Sequence, residues 1–326
     1  MPNCLSCGSE TVPDANFCGR CGVKLKPIAE APVAACRCGA GPESIDAAGF
    51  CEECGVRQID AAPEDHEEQE IDVNFAGVTD RGRRHPINED AIGIAEAASP
   101  SGLVRLLVVC DGVSTASEAA RASAAAVEAF TKTALVAAAA GDDLAAIARR
   151  AADAAQDAVL SIPYANTDNA PATTLVAALV RGRRAVIVWA GDSRAYLSAP
   201  TPAQLTRDDS WFNDIVESGA LTPRQARAHK YAHAIVKSLG ALAEREAFAP
   251  NVLEVELPER ARLLLCSDGL WNYAEAADEL AKLSAEADSA LETCRRLVAF
   301  ANSEGGHDNI SAVLLRSEVN EPVARP

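Results

Sequence analysis

Aromatic residues make up only 4% of this 326-residue chain although 48% of it is hydrophobic, so its core must be built mainly from Leu, Val, Ile and Ala. That apolar share excludes fibrous and disordered classes. Basic residues are also scarce: 30 Lys and Arg stand against 47 Asp and Glu, a formal net charge of −17. Nucleic acid is therefore not expected as a ligand, because a phosphate backbone calls for a basic surface. The first sixty residues do not reverse this, with five Lys or Arg against eight Asp or Glu. Two further absences concern membranes. No stretch approaches about 18 uninterrupted apolar residues, and Met1-Pro2-Asn3-Cys4 does not open a basic stretch followed by an apolar run. A soluble, cytoplasmic monomer is the expectation, with room for one large domain plus small modules.

The cysteines are few along most of the chain and dense at its start. Eight of the eleven lie in paired short spacings before residue 55, while Cys110, Cys266 and Cys294 stand singly. That pattern favours metal in a reducing compartment over a disulfide framework. Cys4-x₂-Cys7 and Cys18-x₂-Cys21 can close a tetrahedron of thiolates about one Zn²⁺, each pair turning under a glycine, Gly8 or Gly22. Cys36-x-Cys38 and Cys51-x₂-Cys54 repeat the arrangement with one shortened knuckle. A site closed by four thiolates leaves no position for water and is structural, the metal supplying folding free energy of about 10 kcal/mol in peptide models. The two modules, residues 1–26 and 33–58, resemble a double zinc ribbon. Ribbons serve most often for docking, and an inert stabilised cap is the plainer alternative.

An acidic stretch, residues 59–72, reads as a solvated linker kept extended by self-repulsion. From Val73 the pattern changes to apolar strand segments and alanine-rich helices. Strands are expected at Val73 to Val78, Ile92 to Ala95, Leu103 to Cys110, Ala195 to Ser198, Val252 to Leu257, Ala261 to Cys266 and Ile310 to Leu315, with a hairpin of Thr173 to Val180 and Arg184 to Trp189. Helices are expected at Ser117 to Ala140, Asp142 to Leu160 and about Ala274 to Ala301, with Gly141-Asp142 supplying the first stop and the next N-cap. The polar segment Thr206 to Gly240 reads as a mostly helical flap over one end of the sheets, and residues 318–326 as a tail.

Five aspartates, each in a short signature of its own, carry the chemistry: Asn88-Glu89-Asp90, Val109-Cys110-Asp111-Gly112, Gly191-Asp192-Ser193-Arg194, Cys266-Ser267-Asp268-Gly269 and Asp308-Asn309. Any one Asp-Gly is an ordinary turn. Three of them, however, follow runs suited to buried strands, so the carboxylates are expected to emerge together where those strands end. Clustered carboxylates repel, and a hard divalent cation such as Mg²⁺ or Mn²⁺ is the usual relief.

In their order these motifs resemble those of the metal-dependent serine/threonine phosphatases, the protein phosphatase 2C (PPM) family, across about Phe75 to Arg316. Thr79-Asp80-Arg81-Gly82 with Asn88-Glu89-Asp90-Ala91 is similar to the family's opening motif. Ala172-Thr173-Thr174-Leu175, Leu205-Thr206-x-Asp208-x-Ser210-Trp211 and Gly306-His307-Asp308-Asn309-Ile310 extend the match. The resemblance implies an α+β fold, a two-sheet antiparallel β-sandwich flanked by helices, over residues 73–317. It also implies that Asp111 bridges two Mg²⁺ or Mn²⁺ ions, that the Gly112 carbonyl joins one of them, and that Asp268 and Asp308 hold the other. Glu89 and Asp90 hold metal-bound waters by the same resemblance, Asp192 and Asp268 a third ion, and Asn309 orients the site. Two metals about 4 Å apart make hydroxide available near neutral pH and offset phosphoryl charge during in-line attack. The implied substrate is phosphoserine or phosphothreonine in a protein, opposing a Ser/Thr kinase in bacterial signalling.

Two places depart from the family's pattern. Bacterial relatives usually carry an Arg five residues before the first aspartate of the set, and this chain has His85 there, so His85 or the adjacent Arg84 is expected to take the phosphate-clamping role; the second motif continues as Val113-Ser114-Thr115 where many relatives have Met-Gly-Gly. Two rival readings remain. Gly191-Asp192-Ser193-Arg194-Ala195 imitates a serine-hydrolase elbow, but an elbow leads into a helix and Ala195-Tyr196-Leu197 reads as strand. A catalytically inactive, phosphatase-like binding scaffold is the other. His229 and His233, four apart, are expected on a solvated helix face.

Overall fold

The computed structural model describes residues 38, 40, 41, 44, 51–55, 65–164, 169–198, 201–240, 248–285 and 287–317. The chain divides into two units, Met1–Ile59 and Asp60–Pro326. Within the first, the described residues make a tight turn in which the Gly55 N–H donates to the Cys51 carbonyl at 2.7 Å. Cys4, Cys7, Cys18, Cys21 and Cys36 lie outside the described residues, as do residues 59–64 and the tail 318–326.

The second unit is built on two antiparallel sheets. Strands β1 (His66–Asp72), β2 (Phe75–Asp80), β3 (Asp90–Ser99) and β4 (Gly102–Asp111) come first, followed by helices α1 (Ala119–Ala140) and α2 (Leu144–Leu160). Next are β5 (Leu175–Arg181), β6 (Arg184–Ala190), β7 (Arg194–Leu197) and β8 (Ala203–Gln204), then the short helices α3 (Trp211–Glu217) and α4 (Pro223–Arg227). Strands β9 (Asn251–Glu256) and β10 (Arg262–Cys266) lead to helices α5 (Asp268–Trp271), α6 (Ala277–Leu283) and α7 (Ala290–Glu304), and β11 (Ile310–Arg316) closes the fold. One sheet has the order β1-β2-β11-β10-β7-β8 and the other β3-β4-β5-β6-β9. This is the expected helix-flanked sandwich.

Alternation along each strand explains how the layers stack. In β4, Leu107 and Val109 point into the sandwich with Phe75, Ile187, Leu265 and Val313. Leu106, Val108 and Cys110 point the other way, onto Phe130 of α1 and Ile147 of α2. The outer face of the first sheet meets α7 through Cys294, Leu297 and Ala301. Because both faces are covered, antiparallel strands here read as unbroken apolar runs. Helix α1 is long and apolar enough by composition to cross a membrane, yet its Phe130 is fully buried against the sheet.

Four expectations need correction. The acidic stretch does not remain linker throughout, since residues 66–72 form the edge strand β1, and the sandwich therefore begins before Val73. Its polar side chains find partners instead of a core: Glu68 receives a forked hydrogen bond from Arg295 at 2.8 and 2.6 Å, and His66 meets Asp80 at 2.8 Å. Secondly, the helix from Ala274 to Ala301 is two helices. The Ser284 hydroxyl turns back to the Leu280 carbonyl at 2.6 Å, and Ser289 caps a new start by accepting from the Glu292 N–H at 3.1 Å. Thirdly, the flap holds only α3 and α4 amid turns, and His229 and His233 follow α4 rather than lying on it. Finally, Gly141 stops α1 in the left-handed region (φ +88°), but the next cap is Asp143, which accepts from the Ala145 N–H at 3.0 Å.

Candidate metal centre

The carboxylates meet where strands end. Asp90 opens β3 and Asp111 ends β4, directly opposite each other in the ladder. Asp192 follows β6, Asp268 starts α5 immediately after β10, and Asp308 precedes β11. The backbone there is tied down on every side. Thr174 accepts the Asp111 N–H on its hydroxyl at 3.0 Å and returns its own N–H to the Asp111 carbonyl at 2.8 Å. Asn309 accepts the Glu89 N–H at 2.8 Å while donating to the carbonyls of Arg81 and Ile87 at 2.9 and 3.0 Å. At Gly112 a β-carbon would come within 2.7 Å of the carbonyls of Glu89 and Ala119, and at Gly269 within 2.0 Å of the Asn309 carbonyl. Glycine is obligatory at both, which keeps the two flanking aspartates close to their neighbours.

The electrostatics are those of crowded, buried acids. Burial, and then the charge of Asp90, push the Asp111 carboxyl well above its ordinary value. Burial followed by Asp192 does the same to Asp268. Burial pushes Asp90 up to about 7, although the Ser311 hydroxyl donates to it at 2.7 Å, and burial with the charge of Asp208 pushes Asp192 up to about 6. Asp111 in turn feels the charges of both Asp90 and Asp268. Three buried oxygens, Glu89 Oε2, Asp90 Oδ1 and Asp192 Oδ1, have no hydrogen-bond partner. Orphaned acceptors in an all-oxygen donor set fit a hard divalent cation. No three of these carboxylates place ligand atoms mutually within 4.8 Å; among the described residues only Cys38, Cys51 and Cys54 do so.

Of the two clamp candidates, His85 turns toward the acids. Its Nδ1 is 3.8 Å from Glu89, its Nε2 3.7 Å from Asp308, and the Ser114 hydroxyl lies 3.4 Å from Nε2. Arg84 is exposed and gives its N–H to the Gly306 carbonyl at 3.2 Å. The elbow reading of Ser193 falls: its hydroxyl is buried against Thr174 at 2.8 Å, and the chain continues as β7.

Sequence reasoning gave no role to the brace beside Asp192. Arg194 forks onto Asp208 at 2.9 and 2.7 Å, lies 3.5 Å above the Trp271 ring, and Trp271 donates its indole N–H to the Asp192 carbonyl at 2.9 Å. The presence of Arg194 and Asp208 in the quoted motifs was the available signal. Asp192, Asp268 and the flap residues Phe212, Arg227 and His233 line a cavity of about 530 Å³.

Fold and donor set together define a class: a helix-flanked β-sandwich protein with a hard-cation centre at one end. The family model for protein phosphatase 2C matches residues 80–314, and the chain belongs to that family. It is 29% identical over 244 residues to the serine/threonine protein phosphatase PstP of Mycobacterium tuberculosis, covering 74% of this chain and 44% of that one. To the serine/threonine phosphatase stp of Listeria welshimeri it is 30% identical over 244 residues, covering 73% and 93%. The crystal structure of PstP/Ppp from Mycobacterium tuberculosis matches with a TM-score of 0.62 at 28% identity, over 75% of this chain and 98% of that one. A PstP catalytic domain solved in complex with two manganese ions matches with a TM-score of 0.59 at 27% identity, over 75% and 98%.

Proposed function

We propose that this protein hydrolyses phosphoserine and phosphothreonine in proteins with Mn²⁺ or Mg²⁺ as cofactor, opposing Ser/Thr kinases in the bacterial cytoplasm. The observation that carries the reading is the buried carboxylate set about Asp111, with its orphaned oxygens and mutually repelling charges. Asp111, the Gly112 carbonyl, Asp268 and Asp308 would hold two ions, Glu89 and Asp90 would hold their bound waters, and Asp192 with Asp268 would hold a third. When bound, the cations acidify water and offset the phosphoryl charge. The protein's own part is positional. Asn309, Thr174 and Ser311 hold the acids in place, and His85, with its ring toward Glu89 and Asp308, binds a phosphoryl oxygen where relatives use Arg.

Zn²⁺ closes the N-terminal modules in this reading. The mutual approach of the Cys38, Cys51 and Cys54 thiols supports the second site, with Cys36 as fourth ligand. The first would use Cys4, Cys7, Cys18 and Cys21. Both serve as docking modules for the phosphoprotein or its kinase, on a monomeric chain.

The test is phosphate release from a phosphothreonine peptide and from p-nitrophenyl phosphate by the wild type and Asp268→Asn, with and without Mn²⁺. Activity should require the metal and fall at least about a hundredfold in the variant. A wild type that binds Mn²⁺ without turning over either substrate would be a scaffold instead. His85→Ala should raise KM, and unchanged kinetics in both His85→Ala and Arg84→Ala would remove the clamp.

A further inference from the structure

The residue at which the acidic stretch meets β1 is bound directly to the loop that carries Arg84 and His85. The Asp65 carbonyl accepts the Arg81 N–H at 2.8 Å, one step beyond the His66 and Asp80 register pair. Its carboxylate meets the Arg81 guanidinium at 3.0 Å, where the two side chains are 13% and 3% exposed. The same guanidinium nitrogen donates across the loop to the Pro86 carbonyl at 3.0 Å. Arg81 therefore spans the loop from its first residue to the one after His85, and Asp65 supplies its counter-charge. The far side is pinned independently, since the Gly306 carbonyl accepts the N–H groups of Arg83 and Arg84 at 2.7 and 3.2 Å.

A buried guanidinium is oriented by the charge that neutralises it, and removing that charge is costly. The Arg81 nitrogen that reaches the Pro86 carbonyl is the one that the Asp65 carboxylate holds, so loss of that charge loosens the hydrogen bond to Pro86. His85 shares a peptide bond with Pro86, so the loss reaches the imidazole facing Glu89 and Asp308. Displacements of an ångström at a positioned group are enough to weaken catalysis.

We infer that Asp65 is a positioning residue for the phosphate site, acting on His85 through Arg81. The kinetic part of this inference rests on the phosphatase reading, and the loop geometry does not. The experiment uses the full chain with Mn²⁺ and compares wild type, Asp65→Asn and Asp65→Glu. Asn keeps size and an acceptor oxygen but removes the charge, and Glu restores it. In Asp65→Asn, KM should rise about fivefold for both the peptide and p-nitrophenyl phosphate while kcat changes by less than about twofold, and Asp65→Glu should recover most of the difference. Hydrogen exchange should quicken at residues 82–87 alone. Deleting residues 1–60 keeps Asp65 and should leave p-nitrophenyl phosphate kinetics unchanged. Unaltered KM and exchange in Asp65→Asn would overturn the inference, and so would a lowered Tm with KM unchanged, which marks a merely stabilising residue. Faster exchange confined to 82–87 in a protein whose wild type shows no turnover would uphold the positioning and reject the phosphatase reading.

Discussion

Asp208 shows how much one buried carboxylate can hold at this site. It neutralises Arg194, whose side chain is only 11% exposed, and Arg194 in turn lies over the ring of Trp271, the donor to the Asp192 carbonyl. Asp208→Asn should cost about 3–5 kcal/mol in urea unfolding, because a buried charge loses its partner. A loss below about 1 kcal/mol would mean that solvent already screens the pair. Gly269→Ala brings a methyl group to 2.0 Å from the Asn309 carbonyl, a main-chain atom that cannot yield without moving Asp308. Weaker Mn²⁺ binding by calorimetry is expected in that variant, together with reduced stability. Such residue-level detail was partly legible beforehand. The acids were named from their motifs, but nothing in their spacing distinguishes His85, turned inward, from Arg84, left exposed.

At the scale of elements, β1 is the part least visible in the sequence. Its residues His66–Asp72 have no apolar alternation and are mostly acidic, so they read as linker. They form a strand because partners distant in the chain, Arg295 and Asp80, receive their charges, and a polar edge also discourages pairing with other chains. A chain starting at Val73 should be less stable by roughly 2 kcal/mol than one starting at Ala61, from lost cross-strand pairs and the exposed edge of β2. Equal urea midpoints would show that β1 contributes nothing. The central strands were legible for the opposite reason, since burial on both faces leaves them uniformly apolar. The break between α6 and α7 was missed because Ser284 and Ser289 act through local hydrogen bonds that an alanine-rich background conceals.

For the whole molecule, the acid cluster makes stability depend on pH and metal together. Asp90 and Asp192 titrate at about 7 and about 6 in the folded chain against 3.8 in the unfolded one. Between those limits the native state binds more protons, so the stability of metal-free protein falls as pH rises from about 4 to about 7. In EDTA the Tm should therefore be higher at pH 5 than at pH 8, and Mn²⁺ should raise it more at pH 8. A Tm that climbs from pH 5 to pH 8 without metal would contradict this electrostatic picture. Recruitment by the N-terminal modules has its own test. Deleting residues 1–60 should lower the rate on a protein substrate while sparing p-nitrophenyl phosphate, and equal effects on both would exclude docking.

Properties carried by neighbouring residues could be read along the chain: apolar strand runs, cysteine spacing, glycine beside aspartate, and the order of the motifs that mark the family. Folding alone brought together Asp90 with Ser311, Glu89 with Asn309, and Arg81 with Asp65, because desolvation, mutual repulsion and orphaned oxygens arise only when distant segments share one buried volume.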